Sequence, residues 1–198
     1  MLEFGKSVLG NLGPQAVATQ RAEKNIDQIR RDVYDSHRHR VYALAYYMTG
    51  DELSAEDLLA RCFTRAFAGK EAPDGADVDA SLLAELRRDG VLGEIELREA
   101  PEVGVSGAAG GNILRTDLEE AVRGLPAGER LVFLLSDVEG YSAARVAALT
   151  GRREAEIARA VLGARLRLRE ATAAARKKRE ASARAQEETE IAGDADRS

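Results

Sequence analysis

The sequence predicts an all-α protein built as two small helical domains joined by a flexible linker. Alanine, leucine and arginine dominate, while tryptophan is absent and tyrosine and phenylalanine number five and four. Helix propensity is therefore high and strand signals are scarce. Apolar residues recur at helical spacing on either side of "EAPEVGVSGAAGGN" (99–112). That run is glycine-rich with no usable apolar period, which marks a linker over 98–113.

Residues 1–25 carry Gly5, Gly10, Gly13 and Pro14 with weak periodicity and are expected to form a mobile leader. The first domain, 26–97, is predicted as a three-helix bundle. Ile26, Ile29, Val33, Val41, Leu44 and Met48 form the stripe of a long helix, and "TGD" at 49–51 stops it. Ser54 is the expected N-cap of the second helix, with Glu56 and Asp57 in its first turn and Leu53 stapled onto Leu58. Leu58, Leu59, Cys62, Phe63, Ala66 and Phe67 make its core face. A third helix, about 79–88, offers Leu82, Leu83 and Leu86 for burial.

The second domain, 114–175, is predicted to hold four helices. Thr116 and Glu119 have capping-box spacing ahead of Leu118, Ala121, Val122 and Leu125, and Pro126 ends that helix. Leu131, Val132, Leu134, Leu135 and Val138 give the next one its core face. Then "GYSAARVAALTGRREAEIARAVLGARLRLRE" (140–170) reads as a helix-turn-helix: Ser142 as N-cap, Tyr141 stapled on Val146, Gly151 as the left-handed stop. Ile157, Val161, Ala164 and Leu168 fall on one inward stripe, leaving Leu162 and Leu166 outward. Residues 176–198 are expected to continue the helix as a charged tail that ends disordered.

The formal charge of -5 conceals an uneven distribution. Residues 70–99 carry four basic and nine acidic groups, and 151–180 carry ten basic and four acidic. A basic segment of this kind suits either a phosphate-binding face or a solvated helix surface. No apolar run reaches the roughly 20 residues that span a bilayer, and the N-terminus lacks a secretory pattern, so a cytoplasmic location is expected. Cys62 is the single cysteine, and His37 and His39 point to opposite sides of a helix, so no metal site is expected. No nucleophile–base set or phosphate loop stands out; neither an enzyme nor a cofactor is predicted.

"YDSHRHRVYALAYYMTGDELSAEDLLARCFTRAF" (34–67) resembles the first conserved region of extracytoplasmic-function sigma factors, within the sigma-70 family, and "LEEAVRGLPAGERLVFLLSDVEGYSAARVAALTG" (118–151) resembles the second. The likeness covers roughly 25–175 in order and spacing. It implies a sigma2-like domain that grips the β′ coiled coil of core RNA polymerase and opens the −10 element. It also implies a sigma4-like domain that reads the −35 element of promoter DNA, with an anti-sigma factor as a possible further partner. Carried onto this chain, polymerase contacts fall to Glu56, Asp57, Arg61 and Arg65, and −10 contacts to Arg87 and Arg88. DNA contacts fall to Arg152, Arg153, Glu156, Arg159, Arg165, Arg167 and Arg169.

The chain departs from the family pattern at three places. Ala60 and Arg61 replace a Gln-Glu pair, residues 75–94 hold no aromatic for a displaced strand, and Ala158, Ala160, Leu162 and Gly163 stand where recognition helices often carry polar groups. Two alternatives therefore stand beside a promoter-directing factor. One is a sigma-like interaction protein, a decoy or anti-sigma partner, that has lost promoter opening. The other is an ordinary helix-turn-helix repressor, which would bind as a dimer.

Overall fold

The computed structural model describes residues 14–91 and 113–195, with side chains described over 25–91 and 113–186. Among these residues no strand occurs. Seven α-helices follow in order: α1 Pro14–Thr49, α2 Glu52–Phe67, α3 Gly75–Arg88, α4 Arg115–Gly124, α5 Ala127–Phe133, α6 Ala143–Thr150 and α7 Glu154–Ala195. α1, α2 and α3 pack together as one bundle, and α4, α5 and α6 pack on α7 as another. The expected linker lies outside the described residues except for Ile113, as do residues 1–13 of the leader and the last three of the tail.

Both long helices exceed their predicted lengths. α1 opens at Pro14, inside the expected leader, with proline in the first turn where its missing N–H is no loss. α7 runs through the expected tail to Ala195, a segment of alanine, arginine, lysine and glutamate with high helix propensity. In α1 the buried stripe is Val41, Leu44, Ala45 and Met48, whereas Ile26, Ile29 and Val33 are half-buried. Of these, Val33 packs against the core.

The starts of α2, α3 and α4 differ from expectation. α2 is capped by Asp51, whose carboxylate accepts from the Ser54 N–H at 2.7 Å. Ser54 is recipient rather than cap, and Leu53 is 76% exposed instead of stapled to the core. α3 begins four residues earlier than predicted, because Asp74 and Asp77 form a reciprocal capping box. α4 starts at Arg115 after Leu114 with no side-chain cap, so the Thr116–Glu119 box does not form and Glu119 pairs with Arg115 at 2.6 Å.

The C-terminal bundle buries Val122, Leu125, Leu131, Val132, Leu134, Leu135, Val146, Ile157, Val161, Ala164 and Leu168. After α5 the chain winds into a π-helical segment, Leu134–Val138, closed by the Glu139 N–H on the Leu134 carbonyl at 3.0 Å. The wider turn advances the side chains out of α-helical phase. Val138, expected in the core, is consequently 62% exposed. Cys62 is buried in the N-terminal bundle; burial pushes its thiol up to about 12, which keeps it protonated and unreactive.

The two bundles touch. α3 lies on α6, and α1 lies on α4 and α5. Across the seam the Arg130 guanidinium donates to the Tyr47 carbonyl at 2.9 Å, while within its own bundle it donates to the Leu125 carbonyl at 2.9 Å. Arg123 hydrogen-bonds the Tyr46 hydroxyl and stands 5.0 Å over its ring. One continuous apolar core joins both halves.

Candidate nucleic-acid interface

The helix-turn-helix is set by local chemistry. Ser142 caps α6 by accepting the Arg145 N–H at 3.2 Å, and Val146 is fully buried beneath it. Gly151 adopts φ +72, and the N–H groups of Gly151 and Arg152 both reach the Ala147 carbonyl, at 2.9 and 3.2 Å. A Cβ at Gly151 would meet nothing within 4 Å, so only backbone strain opposes a side chain there. Gly151→Ala is expected to lower stability by about 1 kcal/mol, read as a shift of the denaturation midpoint.

α7 enters directly from that turn. Glu156 reaches back to the Arg153 N–H at 3.1 Å and pairs with the Arg153 guanidinium at 2.6 Å. It therefore serves as the reciprocal half of a cap, and these bonds hold its carboxyl below the usual range. Ile157, Ala160, Val161, Gly163, Ala164 and Leu168 face inward. The outward stripe at the start of α7 comprises Ala155, Ala158, Arg159 and Leu162, the last 52% exposed.

Two departures from the expected recognition-helix pattern thus have a packing cause. Ala160 and Gly163 lie on the buried side, where small residues let α7 approach its neighbours. Leu166, expected outward, is half-buried. Only Ala158 and Leu162 of the four unusual positions face solvent.

The seven nominated DNA contacts divide by environment. Arg152, Arg159 and Arg169 are exposed, the first in the turn and the others along α7. Arg153 holds Glu156, as described. Arg165 grips Asp137 with a two-pronged bond, Nε to Oδ2 at 2.7 Å and Nη2 to Oδ1 at 2.6 Å. Arg167 reaches the fully buried Glu129 at 2.6 Å. Arg165 and Arg167 therefore brace α7 against α5 and the π-helical segment.

On α2, Glu56 and Asp57 are exposed, and Asp57 pairs with Arg61. Arg61 also turns its fork onto Glu85 at 3.1 Å and pairs with Asp89. Arg65 reaches the same Glu85 at 3.4 Å while staying 55% exposed. Of the two −10 candidates, Arg88 binds Glu85 at 2.7 Å, and Arg87 points to the Thr150 carbonyl at 3.5 Å. Among the described acids of this run, Glu85 is buried among three arginines, Asp74 and Asp77 cap α3, and Asp89 pairs with Arg61.

Asp79 is the residue whose importance sequence patterning missed. It is 3% exposed and accepts from Arg40 at 2.6 Å, from Arg145 at 2.8 Å, and from the Tyr141 hydroxyl at 2.9 Å. Arg40 also bonds the Tyr141 hydroxyl, and the Arg145 guanidinium stacks 3.8 Å over the Tyr141 ring. Burial, then the Asp79 hydrogen bond, raises the Tyr141 phenol, so it remains the donor. The available signal was an acid on the apolar stripe of Asp79, Leu82, Leu83 and Leu86; its partners lay 62 and 66 positions away.

His37 is half-buried beside Gly75, and burial and then Arg40 lower its imidazole; His39 faces solvent. Among the described residues no cluster could hold a metal ion, and no helix is long and apolar enough to cross a membrane. No curated protein matches the chain. Residues 115–168, which span α4, α5, α6 and the opening turns of α7, match the family model described as Sigma-70, region 4.

Proposed function

We propose that this protein is a sigma factor of the extracytoplasmic-function type, which directs core RNA polymerase to promoters. The observation that carries it is the match of 115–168 to the region 4 model, on a helix-turn-helix with a glycine turn and an exposed outward stripe at the start of α7. In such a domain the second helix lies in the major groove with its first residues on base edges. Arg159 can fork onto guanine O6 and N7, and Ala155, Ala158 and Leu162 offer apolar contact to thymine methyl groups. Arg152 and Arg169 flank that stripe with charge for phosphates. Glu56 and Asp57 on α2, with Arg65 beside them, are the proposed contacts to the polymerase β′ coiled coil.

An interaction-only protein that never opens a promoter rests on weaker observations. Asp79 and Glu85 are internal and paired and so add no repelling charge to the surface, and Leu166 is half-buried. The exposed Leu162 remains its main support. The discriminating experiment is transcription in vitro by core polymerase plus this chain on a library of bacterial promoter fragments. Chain-dependent initiation is expected; polymerase binding without initiation from any fragment would favour the interaction-only protein.

A further inference from the structure

On its α3–α6 side the seam between the bundles turns on one carboxylate. Asp79 already has a cation from its own bundle, Arg40; its other two partners, Tyr141 and Arg145, belong to the helix-turn-helix. Arg145 lies in the first turn of α6, where the N-terminal end of the helix dipole adds positive potential. In a helix-turn-helix the first helix crosses the DNA backbone, and a helix N-terminus bearing an arginine is well suited to a phosphate. Here that position is taken by a carboxylate from the other bundle, at 2.8 Å, with Arg145 still 49% exposed at the rim of the seam.

We propose that Asp79 acts as an internal stand-in for a DNA phosphate, latching α6 against α3 and holding the two bundles closed until DNA competes for Arg145. The latch rests on the DNA-binding role proposed above. Its parts suit reversible closure. Arg145 is solvent-accessible, so a phosphate can reach it without unfolding either bundle. Arg40, only 15% exposed, stays with Asp79 and keeps the carboxylate paired after release. The contacts that leave Asp79 all come from one turn of the helix-turn-helix, so they part together.

The test pairs small-angle scattering of the full chain with binding to a labelled mixed-sequence duplex at low ionic strength. Asp79→Asn is expected to enlarge the radius of gyration and tighten DNA binding roughly tenfold, the factor removed when a closed form populated about nine times in ten is abolished. Arg145→Gln breaks the latch from the other side and leaves the N-terminal bundle intact, so it serves even if Asp79→Asn impairs folding. It should enlarge the chain equally but leave DNA binding no tighter than in the parent. Unchanged dimensions in Arg145→Gln would overturn the latch. Expansion of Asp79→Asn without tighter binding would overturn the phosphate-mimic role. If the variants expand while no form of the chain binds DNA, closure stands and the DNA-binding role of the domain falls.

Discussion

Replacing Arg167 by alanine is expected to lower stability by about 3 kcal/mol, through loss of a buried ion pair rather than of a DNA contact. The Glu129 carboxylate is fully buried in the first turn of α5 and receives Arg167 at 2.6 Å. Desolvating that carboxylate is costly, and the guanidinium opposite it offsets the cost. Removing one partner of a buried pair therefore costs far more than the pair adds over an apolar replacement. Chemical denaturation of the variant should show an earlier midpoint with an unchanged slope. Substituting Arg167 and Glu129 together by apolar residues of similar volume should recover much of the loss. A variant as stable as the parent but defective on DNA would reassign Arg167 to the interface.

Arg159→Ala is expected to do the reverse. Arg159 is exposed on the outward stripe of α7, so its loss should leave the denaturation midpoint unchanged. Binding to a specific site should weaken by roughly 1–3 kcal/mol, with relaxed preference at one base pair. Competition binding against sites substituted base by base measures this. Unchanged affinity and preference would remove Arg159 from the groove. The two arginines lie eight positions apart on one helix, and their opposite responses separate bracing from recognition.

The helix-turn-helix was legible in the sequence because its determinants are local: a serine cap, a glycine stop and an apolar stripe all act within a few residues. The fate of the arginines was not, because it depends on acids far away in the chain. Asp137 and Glu129 meet Arg165 and Arg167 across 28 and 38 positions, and nothing in the spacing of α7 reports them. The capping pattern at Thr116 and Glu119 misled for a related reason. Glu119 finds Arg115 one turn away, and α4 begins there without a side-chain cap. Val138 was misplaced because the π-helical turn shifts the phase that an α-helical stripe assumes.

The unusual residues of the first bundle are explained by its internal charges. Arg61, which breaks the expected Gln-Glu pair, holds α2 to α3 through Glu85. Of the acids that suggested a surface hostile to DNA, Asp74 and Asp77 cap α3 while Asp79 and Glu85 are buried among arginines. Asp79 and Glu85 share the inner side of α3, one latching the seam and the other binding arginines of α2 and α3.

Co-sedimentation of the chain with core RNA polymerase at low salt tests the proposed function most directly. A stoichiometric complex is predicted, weakened by charge reversal at Glu56 and Asp57 without loss of helical content. A chain that sediments alone, at low salt and with its fold intact, would contradict it.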